Sequence, residues 1–406
     1  MSSILEKRRT QQLPIDWSTG HDAIFNSTIL TDIPAALASW SSKRVILVYS
    51  KTLDAQTSHI KNLITALGPL VAGTKSGVGA HSPYADVIAI AHLLSSKNAD
   101  TLICIGSSSY SDACKNAASL HATLPAGFTE DDMEALVDKD AGITAPMQNP
   151  TVKVILVPTS LSASEWNPIS SATNKDRKKQ HFGTWTGGAD LLLLDPEVAS
   201  TAPEVLWLSS GVRAVDHCVE TICNPDSNDE ANGHAERGLR ELLKGLREYK
   251  EGKDGKDRGE LLKGISECQA GAREAMIGLL VYRIPMGPSH AIGHQLGSVA
   301  GVMHGVTSCV MLAPVLRYTK GRNPKGQGRV LRVFNEVLGW QEKEAADAVA
   351  NFVKLVGLPG SLKDVGVTEE KDVRLIADKT MTDAWGGKKR QLETVEEVMA
   401  ILNMAR

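Results

Sequence analysis

The chain has 406 residues, a formal net charge of −3 and 42% hydrophobic residues. This length is enough for two domains, each with its own hydrophobic core. The balanced charge gives no basis for binding nucleic acid or an anionic membrane surface. The stretch from Met1 to Trp17 contains no apolar run long enough for a signal peptide or a membrane span, so we expect a cytoplasmic protein.

The six cysteines are scattered along the chain, and no two of them form a Cys-x-x-Cys pair. A disulfide framework or a structural zinc knuckle would need closely spaced pairs. We therefore expect free thiols, buried in the core.

The first half of the chain alternates apolar runs with segments of helical length. Continuous apolar runs suit parallel strands that are buried on both faces. Four such runs lie at 44–50, 101–109, 152–160 and 189–196. Between them lie segments such as PYADVIAIAHLLSSKNA, residues 83–99. This alternation predicts a doubly wound α/β domain over residues 1–198.

The second half has no further long β-branched run, and its apolar residues recur at helical spacing. The helical segments lie at 210–223, 233–250, 264–283 and 342–358. Turn signals separate them at 223–229, 251–259 and 320–328. We expect an all-helical domain over residues 199–406, with the charged stretch 251–259 as a solvated loop.

Polar residues follow three of the predicted strands. In an open α/β sheet, ligands bind beyond the carboxyl ends of the strands. Gly106, Ser107, Ser108 and Ser109 follow the second run and lead into a predicted helix. Small residues at such a turn let backbone N–H groups approach a phosphate, and the helix N-terminus favours the negative charge. The alternative is a serine-rich capping turn without a ligand.

Histidines in the helical half point to a pocket. Arg213 and His217 are four residues apart, as are His290 and His294, so each pair projects from one helical face. Pro288 suits the first turn of the helix that carries the second pair. No glutamate follows His290, so the zinc-protease pattern His-Glu-x-x-His is absent. Together with His304, the spacing predicts one shared pocket.

The ordered set GSSSYSDACK, PTSLSASEWNP, LLLLDP, GVRAVDHCVE and SHAIGHQLG…HG resembles the iron-containing alcohol dehydrogenases and the related maleylacetate reductases. The resemblance runs from about residue 20 to the C-terminus. It implies a dinucleotide-binding α/β domain, a helical domain, an active site in the cleft between them, and a homodimer. GAHSP and SASEWNPISSATNKDRKK are closer to the maleylacetate reductase branch.

The resemblance also implies NAD(P)H as cofactor. The residues that would bind it are Ser50, Gly106, Ser107, Ser108, Ser109, Asp112, Thr159, Ser160, Ser162 and Lys178. Ser50 stands where the alcohol dehydrogenases usually have an aspartate, which disfavours a 2′-phosphate on the ribose. With Lys51 beside it, we expect the chain to accept NADPH as well as NADH. The usual triple glycine of the phosphate turn is here Gly106 followed by three serines, which crowds the backbone more.

The family binds a divalent metal with one aspartate and three histidines. By motif, the histidines would be His217, His290 and His304, but the aspartate position is Arg213. A permanent cation at that position repels a divalent metal at close range. We therefore expect the site to work without iron or zinc, and a three-histidine metal site is the alternative.

These features lead to a hypothesis of an NAD(P)H-dependent reductase that resembles maleylacetate reductase and acts on a small carboxylate-bearing substrate. Arg213 and Lys178 would hold the carboxylate and stabilise the developing enolate, while His294 or His290 would supply the proton. Arg213 could instead pair internally with Asp216 or Glu220. Two other functions stay open. One is a metal-dependent alcohol dehydrogenase that uses His217, His290 and His304. The other is a non-redox lyase or cyclase, or a family member that binds no cofactor.

Overall fold

The computed structural model describes residues 5–11, 13, 22–139, 142–183, 188–382 and 391–406. Part of the N-terminal stretch from which we predict localisation lies outside these residues. The chain divides into two compact units, Met1–Ala202 and Pro203–Arg406.

The N-terminal unit is built on a seven-stranded sheet. Its strands are β1 (Arg8–Gln11), β2 (Asp22–Phe25), β3 (Val45–Tyr49), β4 (Val71–Ser76), β5 (Thr101–Gly106), β6 (Lys153–Pro158) and, after a separate hairpin, β9 (Leu191–Leu194). The spatial order is β1-β2-β9-β6-β5-β3-β4. β1 pairs with β2 in antiparallel fashion and all other pairs are parallel. β7 (Ser170–Thr173) and β8 (Lys179–Phe182) form the hairpin.

Helices follow most of the parallel strands. They are α1 (Ile29–Trp40), α2 (Lys51–Gln56), α3 (His59–Leu67), α4 (Tyr84–Lys97), α5 (Ser108–Thr123), α6 (Glu130–Leu136) and α7 (Pro196–Ala199). One core cluster joins side chains of β3, β5, β6 and β9 to α1 and α3. Every residue of β3 and β5 is buried, as expected for central parallel strands.

The predicted α/β class is confirmed, and the four predicted strands are present with shorter bounds. The sequence did not reveal β4, because its residues VAGTKS are half-exposed and form no apolar run. It did not reveal the hairpin either, because β7 reads SSAT and β8 reads KQHF. Polar strands of this kind carry no periodicity signal.

The C-terminal unit contains only helices among its described regular elements. They are α8 (Glu204–Cys223), α9 (Asp229–Asp254), α10 (Arg258–Leu280), α11 (Pro288–Ala300), α12 (His304–Thr319), α13 (Pro324–Leu338), α14 (Ala345–Leu355), α15 (Glu370–Thr380) and α16 (Val395–Met404). A core cluster joins α11, α12, α15 and α16. The all-helical prediction is confirmed, and Pro288 begins its helix as expected.

Two predicted loops are shorter than expected. α9 continues to Asp254, so the solvated loop of 251–259 reduces to 255–257. α13 begins at Pro324, inside the turn predicted at 320–328.

All six cysteines are free, and five of them are buried. Within the described part of the chain, no helix is both long and apolar enough to cross a membrane.

Candidate active site

One face of α8 carries four ionisable side chains. Arg213, Asp216, His217 and Glu220 lie three or four residues apart, a spacing that places them on the same side of a helix. All four are buried, with exposed fractions of 4%, 0%, 7% and 4%. Charged residues are rarely buried unless they are paired, so this face forms a polar cluster inside the C-terminal unit.

Helices α11 and α12 supply the remaining histidines. His290 is buried, whereas His294 and His304 are half-buried. The rings form two stacked pairs. His217 and His290 have centroids 4.7 Å apart and planes at 24°, and His294 and His304 have centroids 5.5 Å apart and planes at 5°. The predicted grouping of the four histidines is thus present, and its accessible side is the one with His294 and His304.

Arg213 is bonded to the two neighbouring helices. Its Nη1 donates to Ser308 Oγ at 3.3 Å and to the His304 carbonyl at 3.5 Å, and its Nη2 donates to His294 Nε2 at 3.4 Å. Burial lowers the pKa of the guanidinium to about 10, and the charges of Asp216 and Glu220 oppose this shift. Arg213 therefore stays cationic at neutral pH.

Glu220 holds the turn that begins α11. Its Oε2 accepts from Gly287 N at 2.7 Å and from His290 Nδ1 at 2.7 Å, and its Oε1 accepts from Ser289 N at 2.6 Å. Burial raises the pKa of Glu220 to about 7, although these hydrogen bonds and Arg213 act in the opposite direction. Because His290 uses Nδ1 as a donor, its Nε2 presents a lone pair.

Asp216 completes the buried cluster. Its Oδ2 accepts from Ser289 Oγ at 2.8 Å and lies 3.4 Å from His290 Nδ1. Burial and then the charge of Glu220 raise the pKa of Asp216 well above its usual value. Burial also lowers the pKa of His217 and His290 well below the usual range, with Arg213 adding to the effect. Among the described residues, neither His217 Nδ1 nor His290 Nε2 has a hydrogen-bond partner.

In the N-terminal unit, three predicted cofactor residues meet at one sheet edge. Ser50 follows β3, Gly106 ends β5 and Thr159 follows β6, and these strands are neighbours with parallel register. Ser50 N donates to the Ile105 carbonyl at 3.0 Å, and Thr159 N donates to the Gly106 carbonyl at 2.9 Å. Ser160 is buried and Ser162 half-buried just beyond Thr159.

The serine turn opens α5. Ser107 is the N-cap residue of this helix, and no side chain caps its N-terminus. Ser109 is bonded to a neighbouring loop, since its Oγ accepts from His81 N at 3.1 Å and its carbonyl accepts from Ser82 Oγ at 2.8 Å. A Cβ on Gly106 would lie 2.5 Å from the Tyr110 ring, so a glycine is needed there for packing alone.

Asp112 and Lys115 lie on the next turn of α5 and fix the segment after β6. Asp112 Oδ2 accepts from Ser171 N at 3.1 Å and from Ser171 Oγ at 3.0 Å. Lys115, only 1% exposed, lies 3.2 Å from Asp112 and donates to the Ser164 and Asn167 carbonyls at 2.7 and 2.9 Å. The contacts described for Asp112 are therefore structural, and Lys115 is a buried cation that no sequence motif revealed.

Lys178 lies on the exposed turn between β7 and β8. Its backbone N–H donates to Asn174 Oδ1 at 2.9 Å. Hydrogen bonds from Gln180 and Asn174, and then the charge of Lys178, lower the pKa of Glu134 against the effect of burial. The described contacts of Lys178 are thus with its own hairpin and with α6.

Ser289 and Ser308 are site residues that sequence reasoning missed, because a serine beside a histidine motif is too common to be a signal.

Both halves of the chain match known family models. A model described as iron-containing alcohol dehydrogenase matches residues 21–196, and one described as the C-terminal part of the Fe-containing alcohol dehydrogenase family matches residues 207–406. The chain therefore belongs to the iron-containing alcohol dehydrogenase family. Dehydrogenase ALT3 of Alternaria alternata is 30% identical, over 90% of this chain and 100% of that protein.

Solved structures show the same fold. The maleylacetate reductase of Agrobacterium tumefaciens superimposes with a TM-score of 0.73 at 19% identity and covers 94% of this chain and 95% of its own. The sulfoacetaldehyde reductase of Bifidobacterium kashiwanohense, in complex with NAD+, gives a TM-score of 0.78 at 17% identity, with coverage of 94% and 96%.

The family name implies an iron ion, and the residues of this chain do not fit one. The cation of Arg213 lies among the histidines, where it would repel a divalent ion at close range. In the described part of the chain, Asp216, Glu220 and His290 have ligand atoms within 4.8 Å of one another. However, both oxygens of Glu220 and Nδ1 of His290 are already used in hydrogen bonds.

A dinucleotide fits better. The N-terminus of α5 lacks a side-chain cap, so its first N–H groups can bind a phosphate. The ends of three parallel strands border this turn. A nicotinamide dinucleotide would be held by the turn Gly106–Ser109 and by Thr159 and Ser160, and it would supply a hydride.

Proposed function

We propose that this protein is an NAD(P)H-dependent reductase of small carboxylate-bearing substrates, either keto acids or unsaturated acids of the maleylacetate type. Family membership supports an oxidoreductase. The observation that carries the acid specificity is the buried guanidinium of Arg213 beside four histidines. A permanent cation in a desolvated position is suited to binding a carboxylate or a developing enolate.

Arg213 has donors to spare for a substrate. A guanidinium has five N–H groups, and the hydrogen bonds to His304, Ser308 and His294 use three of them. An N–H of Nη2 and the Nε N–H can then bind one or two substrate oxygens. As negative charge builds on the substrate oxygen, the fixed cation stabilises it without reorganisation.

A histidine completes the reaction by delivering a proton. His294 lies on the accessible side and accepts from Arg213 through Nε2, while His290 is buried and presents its own Nε2. Because His294 accepts from Arg213 through Nε2, it carries its proton on Nδ1 and can transfer that proton to the reduced substrate. Neutral His290 holds its proton against Glu220 and serves as a hydrogen-bond acceptor at Nε2. Lys178 is a further cation that we assign to the carboxylate or the cofactor, as the sequence motif suggests.

Substrate reduction by wild type and Arg213→Met tests this proposal. Oxidation of NADPH and NADH is followed by stopped flow with maleylacetate and with a neutral aldehyde of similar size. We expect turnover of the acid, and a loss of about 10²-fold or more in kcat/KM for the acid in Arg213→Met. The loss for the aldehyde should be smaller, since it has no carboxylate.

Arg329→Met is the matched control, because Arg329 pairs with Asp229 and Glu236 on a different face of the same unit. It should leave both rates unchanged within about twofold. Equal rates for the acid in wild type and Arg213→Met would remove Arg213 from the reaction. Reduction of the aldehyde but of no acid would replace the proposed substrate class with neutral carbonyl compounds.

A further inference from the structure

We propose that the guanidinium of Arg213 takes the place of the divalent metal ion in this family member, and that the single substitution Arg213→Asp converts the pocket into a metal site. This inference goes beyond the proposed function, because it holds whichever carbonyl compound the protein reduces. It concerns what the pocket of the C-terminal unit can bind.

The first argument is position. Arg213 is four residues before His217 on α8, so the two side chains leave the helix on the same face. Its guanidinium reaches the histidines of both α11 and α12, since it bonds to His294 Nε2 and to the His304 carbonyl. One cation thus contacts the elements that carry the other candidate ligands.

The second argument is charge. The cluster contains one permanent cation and two carboxyl groups, Arg213 with Asp216 and Glu220, all with exposed fractions of 4% or less. A dication a few ångströms from a buried guanidinium is strongly repelled, because little water screens the interaction. Arg213 therefore supplies positive charge to the pocket and excludes a divalent metal ion from it.

The third argument is that ligand atoms remain available. His290 Nε2 and His217 Nδ1 are buried and have no hydrogen-bond partner among the described residues. Glu220 fixes the ring of His290 through Nδ1, as second-layer carboxylates commonly do for metal-binding histidines. Replacing Arg213 by aspartate would remove the repulsion and add an anionic oxygen beside these imidazoles.

The test is metal binding by wild type, Arg213→Asp and Arg213→Met. Each protein is stripped with chelator, titrated with Co²⁺ and Zn²⁺, and dialysed before elemental analysis. Far-UV circular dichroism and thermal melting check the fold. We expect wild type to keep no more than about a tenth of an equivalent and Arg213→Asp to keep about one equivalent, with the absorption bands of tetrahedral cobalt. Arg213→Met removes the cation without adding a ligand, and should bind at least about tenfold more weakly than Arg213→Asp.

Two results would overturn the proposal. One is a folded Arg213→Asp protein that binds metal no better than wild type. The other is wild-type protein that keeps one equivalent of metal which His290→Gln loses. If Arg213→Asp does not fold, Arg213→Asn replaces it in the titration. The wild-type measurement alone still decides whether the native pocket excludes a divalent metal ion. Since no substrate is used, these results are independent of the reductase assay.

Discussion

At the scale of single residues, we expect Ser50 to affect the choice between NADH and NADPH. Its Oγ caps α2 by accepting from Leu53 N at 3.4 Å, a role that aspartate fills equally well. Ser50→Asp should therefore fold normally, while its charge repels a 2′-phosphate on the adenosine ribose. We expect the Kd of NADPH to rise by about tenfold or more and the Kd of NADH to change little.

Fluorescence titration with both cofactors measures this effect. Ser58→Asp is the control, since Ser58 is the exposed N-cap residue of α3 in the same unit and receives the same charge. Equal changes for NADPH and NADH, or equal effects of the two substitutions, would show that Ser50 does not lie beside the ribose.

We expect Glu220 to hold the proton of His290 on Nδ1, since its Oε2 lies 2.7 Å from that nitrogen. In Glu220→Gln, one oxygen is replaced by an amide N–H group, which would face Nδ1 of His290 as a donor. The proton of His290 should then move to Nε2, and turnover should fall by about 10²-fold or more. The free energy of unfolding should decrease by about 1 to 3 kcal/mol, because the N–H groups of Gly287 and Ser289 then share one acceptor oxygen.

Nitrogen-15 NMR of labelled histidines reads the tautomer directly, with His290→Gln to assign the signal. Ser289→Ala is the matched control, since it removes the bond to Asp216 but keeps the Ser289 N–H that Glu220 accepts. It should leave the tautomer of His290 unchanged. If Glu220→Gln also keeps the proton on Nδ1, the assigned hydrogen bond is wrong.

At the scale of elements, α9 and α10 pack with their backbones in close contact. A Cβ on Gly264 would lie 2.4 Å from Tyr249 N and 2.6 Å from the Gly245 carbonyl. Backbone cannot move aside as a flexible side chain can. We expect Gly264→Ala to lower the free energy of unfolding by about 2 to 3 kcal/mol, measured by urea denaturation.

Gly328→Ala in α13 provides the opposite case. A Cβ there meets nothing within 4 Å, so only the helix propensity changes. This substitution should raise stability by about 0.5 to 1 kcal/mol. Destabilisation of similar size by both substitutions would argue against close packing of α9 and α10.

The N-terminus of α16 is held by an acid-sensitive contact. Glu397 accepts from Glu393 N at 2.6 Å and from Thr394 N at 3.1 Å, and it pairs with Arg322. The hydrogen bond from Arg322, followed by these backbone bonds, lowers the pKa of Glu397 to about 2 from its usual 4.5. A lowered pKa means that the carboxylate stabilises the fold above pH 4.5 and that this stabilisation is lost as the pH falls toward 2.

Glu397→Gln should therefore cost about 1 kcal/mol at pH 7 and progressively less between pH 4.5 and 2. Denaturant unfolding at a series of pH values measures the difference from wild type. Glu396→Gln on the same helix turn is the control, because its side chain is 77% exposed and should contribute less than about 0.5 kcal/mol. A pH-independent difference for Glu397→Gln would contradict the assignment.

Much of the fold and of the candidate site can be predicted from local sequence, and the rest depends on tertiary packing. β5 is predictable because TLICIG is apolar throughout, and Arg213 and His217 share a face because their spacing is helical. The bond between Glu220 and His290 joins residues 70 positions apart, so no local pattern contains it. Lys115 is missed for another reason, since lysine is normally exposed and only the carbonyls around it explain its burial.

At the scale of the whole molecule, the chain consists of two units, each with its own core cluster. The predicted phosphate turn belongs to Met1–Ala202, and the histidine cluster belongs to Pro203–Arg406. A ligand raises the free energy of unfolding of the unit that binds it by RT ln(1 + [L]/Kd), where [L] is the free ligand concentration. Cofactor binding and the histidine pocket can therefore be examined separately in the intact chain.

We expect NADH or NADPH at about 100 times its Kd to stabilise the N-terminal unit by about 2.7 kcal/mol. For a unit of this size, the unfolding temperature should rise by about 5 to 10 °C. Calorimetry measures the shift, and hydrogen exchange locates it. Protection should appear in peptides that contain Gly106–Ser109 and Thr159–Ser160, and not in peptides from α13 or α16. If neither cofactor changes melting or exchange, the serine turn does not bind a dinucleotide, and a non-redox reaction becomes the better explanation of the histidine cluster.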